Sequence, residues 1–129
     1  MALSAEQRKR LALAEGLRQL ADHSSESELR DALSRSYYSL FHASLVLLDR
    51  EWIRHENLPR ELKEIDEELA QNVAELSKLR EGADYDPDLL RREEYNGDLE
   101  VFRVKTADVL ERGRTAYRKI LDEIGKAVI

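Results

Sequence analysis

The chain has 129 residues, room for one domain over 1–129 and no second, because domains usually run about 100 to 200 residues. It is 42% hydrophobic and 37% charged with five Gly and two Pro, too few turn-formers for a sandwich or barrel of short strands. The formal charge of -6 argues against sequence-blind nucleic-acid binding, which depends on an excess of Lys and Arg, so any RNA contact must be local.

Ser4 and Gln7 have the spacing of a capping box, and Leu13, Leu17, Leu20 and Ala21 recur at helical intervals, predicting a first helix from Ala5 to Ala21. Ser25 and Glu28 repeat the capping pattern, and neither Gly nor Pro interrupts the stretch from Glu26 to about Arg50, the second helix. Arg54 to Pro59 reads as a connection, with Pro59 pre-set for the first turn of a third helix running to about Glu81, which Gly82 can end. Turn-forming residues follow from Ala83 to Asp88, then a short helical piece up to Tyr95 and a break at Asn96-Gly97. A last helix runs from about Leu99 to Gly125. Short connections favour antiparallel neighbours, so the expected fold is all-α, an up-and-down bundle of four to five helices.

The longest stretch free of Asp, Glu, Lys and Arg, Ser36 to Leu48, is shorter than the roughly 20 residues a membrane span requires. Glu6, Arg8, Lys9, Arg10 and Glu15 interrupt what would be the apolar run of a secretory signal, and Cys is absent. A cytoplasmic protein without membrane contact or disulfides is expected. The charge is zero over residues 1–60, -9 over 61–100 and +3 over 101–129. Arg112, Arg114, Arg118 and Lys119 form the most basic cluster, a pattern that is usually a solvated helix face. Glu64, Asp66, Glu67 and Glu68 form an acidic run that reads as solvent-facing or as a docking surface for a basic partner.

On a helical wheel of the second helix, Leu33, Tyr37, Leu40, Ser44, Leu47 and Leu48 form a stripe suited to a bundle core. Asp31, Arg35, His42 and Asp49 fall opposite it, with Arg35 and His42 about 10 Å apart along the axis. Val46 lies among these groups, and Tyr38 and Leu45 border them. Such apolar neighbours imply a second buried surface, for which a second copy of the chain is the economical source. A homodimer would then gather two Arg and two His in one cleft.

An imidazole with its ordinary pKa near 6.5 exchanges protons near neutrality, and a guanidinium offers forked donors to phosphate oxygens. The pair suits RNA cleavage by the internal 2′-hydroxyl, which needs no metal ion or other cofactor. An interfacial polar pair, or an ion pair between Asp31 and Arg35, is the plainer alternative. Binding of a nucleotide or small anion through Arg35 without turnover is another.

The stretch from Ser34 to Leu48, with Arg35 and His42 separated by six residues and Tyr37, Tyr38 and Phe41 between them, resembles the hallmark helix of the HEPN superfamily. Leu79 to Asp86, containing Arg80 and Ala83-Asp84-Tyr85-Asp86, is similar to a second block in an uncharacterised prokaryotic branch of that superfamily. The resemblance implies a dimerising helical bundle that cleaves RNA without metal, with His42 transferring protons and Arg35 holding phosphate. It also implies a role as the toxin of a toxin-antitoxin or defence pair, with a nucleotidyltransferase antitoxin as partner. Ser44 stands where one toxin branch has a modified Tyr, so that mode of neutralisation does not transfer. A non-catalytic adaptor that binds a nucleotidyltransferase or another helical protein is the alternative function.

Tyr38, Ser39, Arg80 and Tyr85 are the expected substrate contacts. Ser36 and Ser39 also have the plainer reading of serines facing a partner helix, and Arg80 can contribute to an RNA-binding rim or, more plainly, pair with Asp84. Asp84 and Asp86 can accept a hydrogen bond from a motif Arg or merely cap the turn. His55 would need carboxylates to complete a zinc site, and no metal is expected there.

Overall fold

The Gln7 N–H donates to Ser4 Oγ (3.1 Å) and the Ser4 N–H donates to Gln7 Oε1 (2.9 Å), the reciprocal cap that their spacing predicts. It opens α1, Ala5–Asp22, in a computed structural model that describes the backbone of residues 2–22, 29–85 and 99–128. Side chains are described at 2–21, 31–78, 80, 107–108 and 110–128. The remaining elements are α2 (Leu29–Leu47), a 3-10 turn (His55–Asn57), α3 (Leu58–Lys63), α4 (Glu67–Tyr85) and α5 (Leu99–Val128). Among the described residues there is no strand, and the architecture is the all-α helical bundle that the composition predicts. No described helix is long and apolar enough to cross a membrane.

The second helix stops at Leu47, short of its predicted end, because its last carbonyls are capped by the turn that follows. The Asp49 N–H donates to the Val46 carbonyl (3.1 Å) and the Arg50 N–H to the Leu45 carbonyl (2.9 Å), with Asp49 at φ 53°. This is the Schellman arrangement, with Asp where Gly is usual. The predicted cap at Ser25 and Glu28, Asp86, and the segment around Tyr95 to Gly97 lie outside the described residues.

The single third helix predicted from Pro59 is in fact two, α3 and α4. After α3 the Ile65 N–H donates to the Leu62 carbonyl (2.9 Å), and Asp66 Oδ1 accepts the Leu69 N–H (2.9 Å) as the N-cap of α4. Asp66 is thus the structural member of the acidic run, while Glu64, Glu67 and Glu68 are exposed. Gly82 does not end α4, and Gly125 does not end α5. A glycine weakens a helix by about 1 kcal/mol relative to Ala, which good helix formers on either side can offset.

Side-chain bonds join Gln7 to Asp49, Arg10 to His42, Ser39 to the Ala14 carbonyl and Arg18 to Ser36. The numbers rise along α1 as they fall along α2, so the two helices are antiparallel. Helix α2 lies in the middle and packs against α1, α4 and α5. Tyr37, Phe41, Leu33 and Leu40 fill the core from α2, joined by Leu58 and Leu62 of α3, Val73 of α4 and Ile120 of α5. Arg18, 4% exposed, donates to Ser36 Oγ (2.9 Å) where α5 crosses at Gly113. A Cβ at Gly113 would fall well inside van der Waals contact with Ser36 Oγ and 3.1 Å from Arg18 Nη1. The Tyr117 hydroxyl donates to Glu15 Oε2 (2.6 Å); burial, then that carboxylate, pushes the phenol pKa up.

Candidate active site on the open strip of the central helix

From Asp31 to Val46, only Asp31, Ser34, Arg35, Tyr38 and His42 escape burial. Asp31, Arg35, Tyr38 and His42 are spaced by four, three and four residues, a single line along the helix. The face that the wheel assigns to Arg35 and His42 is therefore the one α2 leaves open. Val46 and Leu45 depart from expectation: they are 5% and 1% exposed within one chain. A wheel of an isolated helix cannot register neighbours on several sides, and the α1 N-terminal half, tied to this end through Gln7 and Asp49, packs alongside. No second subunit is needed to cover these two residues, which corrects the inference drawn from them.

His42 is half-buried, and Arg10 Nη1 lies 3.3 Å from its Nδ1. A guanidinium has no acceptor, so Arg10 donates, Nδ1 accepts, and the proton of the neutral ring sits on Nε2. Burial first, then the charges of Arg10 and His55, holds the imidazole pKa below its ordinary 6.5. Glu6, Lys9, Arg10 and Leu13 of α1 border a shallow, open depression of about 210 Å³ at His42. Arg35 is half-exposed and makes no hydrogen bond or ion pair among the described residues; the alternative pair with Asp31 does not form. Arg10 is the group that sequence reasoning missed. Its position in an amphipathic helix gave no sign that it would meet His42, which depends on the register between α1 and α2.

Tyr38 lies on the strip between Arg35 and His42, its ring edge-on to Tyr37 (5.4 Å), Phe41 (6.4 Å) and His55 (5.8 Å). Ser39 is fully buried and donates to the Ala14 carbonyl (2.7 Å). This corrects its assignment as a substrate contact: the hydroxyl faces α1, as the plainer reading of a helix serine has it. Ser36, equally buried, accepts from Arg18. Arg80 is 6% exposed, its guanidinium 5.1 Å from the Tyr37 ring centre and 5.6 Å from that of Tyr38. It braces the strip from beneath rather than forming a rim. Tyr85 is the last residue of α4, and its side chain, like that of Asp84, lies outside the described ones.

His55 belongs to an aromatic cluster rather than to a carboxylate set. Its Nδ1 is 2.6 Å from the Tyr37 hydroxyl, and its ring centre is 4.4 Å from Phe41 and 5.8 Å from Trp52. The basic cluster on α5 is matched by carboxylates. Arg112 bonds Glu75 and also pairs with Asp108 (3.2 Å), Arg114 with Glu111 (2.8 Å), and Lys119 with Glu123 (3.2 Å) and Asp66 (3.5 Å). Cations matched by neighbouring carboxylates in this way leave little net local field to attract a phosphate backbone. No protein-family model matches the chain, and no curated protein matches its sequence.

Proposed function

We propose that the chain is a metal-independent endoribonuclease of HEPN type, with Arg35 and His42 acting on one phosphodiester. The observation that carries this is the strip, which exposes these two side chains on a helix otherwise sunk in the bundle. The lowered pKa supports it, since His42 is neutral near pH 7 and so able to take a proton. The resemblance of Ser34 to Leu48 to the HEPN hallmark helix supports it independently.

A phosphate oxygen is a stronger acceptor for Arg10 than an imidazole nitrogen at 3.3 Å, so bound RNA draws that guanidinium away and frees Nδ1. The ring then takes the 2′-hydroxyl proton as the 2′-oxygen bonds to phosphorus. The bond from phosphorus to the 5′-oxygen breaks, and the leaving oxygen takes up a proton from water. Arg35 holds the charge that builds on the phosphoryl oxygens. The products are a 2′,3′-cyclic phosphate and a 5′-hydroxyl. In this reading the protein acts in the cytoplasm as a homodimer and as the toxin of a toxin-antitoxin or defence pair, a nucleotidyltransferase being its antitoxin. Leu13 and Leu20, 49% and 53% exposed and seven residues apart on α1, offer an apolar strip for the second copy.

Wild type, His42→Ala and Arg35→Ala, incubated with single-stranded RNA in EDTA, test the proposal. Each variant should lose about 100-fold or more in cleavage rate, the usual range for a positioned proton-transfer group. Product mapping should find the cyclic phosphate end, and sedimentation velocity a dimer. Undiminished cleavage by His42→Ala would remove the imidazole from the mechanism. The exposed leucines also favour a second reading, a non-catalytic adaptor for a helical partner. It predicts no cleavage by wild type and loss of that partner on Leu13→Asp.

A further inference from the structure

We propose that Trp52 is a stacking platform for an unpaired base of the RNA whose phosphate lies at His42. The inference takes its ligand class from the ribonuclease reading and adds that the substrate is single-stranded at this point. Trp52 is 60% exposed, more than any other large apolar side chain among the described residues. Yet it is held firmly. The Schellman turn at Asp49 and Arg50 fixes the backbone before it, and Ile53, 3% exposed, anchors the residue after it. Its ring packs edge-to-face with Phe41 (5.2 Å, 81°) and His55 (5.8 Å, 80°).

Phe41 directly precedes His42, and their ring centres are 5.6 Å apart. With Trp52 at 5.2 Å from the same Phe41 centre, the indole and the imidazole are no more than about 11 Å apart. Adjoining nucleotides of an extended strand can span that gap. A duplex keeps its base faces stacked on one another, so only an unpaired base can lie on an indole. Arg50 and Arg54 stand two residues before and two after Trp52 in the chain, with side chains 51% and 77% exposed. Arg50 pairs with the half-buried Glu61 (2.9 Å), whereas the pair of Arg54 with Glu56 (3.6 Å) is exposed on both sides and worth little, so Arg54 is the cation a phosphate can recruit. An exposed aromatic with cations close by in the chain is what sequence-tolerant binding of a single strand uses, and it meets the demand of an acidic chain for a local contact.

Trp52 is the chain's one tryptophan, so its emission reports on this position alone. The probe is a 2′-O-methyl oligouridine, which cannot be cleaved because its 2′-oxygen carries no proton. It should quench the emission saturably. An abasic strand with the same number of phosphates should bind roughly tenfold more weakly and leave the emission unchanged, stacking being the difference. With a labelled strand, Trp52→Leu should lose about tenfold in affinity, and in cleavage assays KM should rise about tenfold with kcat unchanged. Trp52→Phe should restore most of that affinity. Circular dichroism separates loss of the ring from loss of the fold. Equal binding of base-bearing and abasic strands, quenching by a duplex as strong as by a single strand, or wild-type affinity in Trp52→Leu would overturn the proposal. Because the probe is inert, absence of cleavage with intact quenching sinks the nuclease reading alone, and cleavage without base-dependent quenching sinks the platform alone.

Discussion

Replacing Gly113 with alanine tests how the helices that frame the strip are fitted together. In an ordinary helix interior the change stabilises by about 1 kcal/mol. Here the new methyl overlaps Ser36 Oγ, and the site is closed by Arg18. Either the helices shift, at the usual overpacking cost of about 1–3 kcal/mol, or Ser36 rotates and Arg18 loses a charge-assisted bond worth about 1.5–3 kcal/mol. After the propensity gain, a net loss of up to about 2 kcal/mol is expected, which is up to several degrees in Tm for a domain of this size. Urea unfolding followed by circular dichroism measures it, with an unchanged slope certifying that the two end states are the same. In a Ser36→Ala background the overlap is gone, leaving the flexible end of Arg18 at 3.1 Å and Leu76 Cδ2 at an ordinary contact of 3.5 Å, so Gly113→Ala should become neutral or mildly stabilising. The double-mutant cycle should show coupling of about 2 kcal/mol. A Gly113→Ala protein stabilised by the full 1 kcal/mol or so of an unobstructed helix site, or effects of the two substitutions that simply add, would refute this picture of the α1, α2 and α5 junction.

His42 makes stability depend on pH. Because burial, Arg10 and His55 lower its pKa in the fold, the unfolded chain binds more protons as the pH falls through 6.5. The contribution of the neutral ring is complete above 6.5 and declines in acid, so the stability of wild type relative to His42→Gln should fall as the pH is lowered through 6.5. A flat or rising difference in urea-derived free energies would contradict the assignment. Ser39→Ala should cost about 1 kcal/mol in unfolding free energy, the value of a buried hydroxyl bond, and leave KM for RNA unchanged. A raised KM at unchanged stability would return Ser39 to the substrate.

The contrast between Arg35 and Ser39 marks how far the chain could be read from its letters. Both lie on α2, and the period of the apolar residues put Arg35 on the side away from the core, where it is. Ser39 is small enough to go either way, and its burial follows from α1 lying close enough for a bond to the Ala14 carbonyl. Arg80 shows the same limit: a basic residue near a turn reads as rim, but packing of α4 on α2 slides it over two tyrosine rings. Asp66 was legible in principle as an N-cap, but its acidic neighbours made a solvated face the simpler interpretation.

The all-α class, the N-terminal cap of α1 and the shared face of Arg35 and His42 were fixed by residues within a turn or two of each other. Periodicity and capping are local properties, and a single sequence displays them. The meeting of Arg10 with His42, the burial of Val46 and Leu45 without a second chain, and the gathering of Trp52, His55 and Phe41 beside the strip were decided by tertiary structure. Each depends on the register between packed helices or on the path of a turn. Those follow from the summed packing of the whole core, which no local pattern encodes.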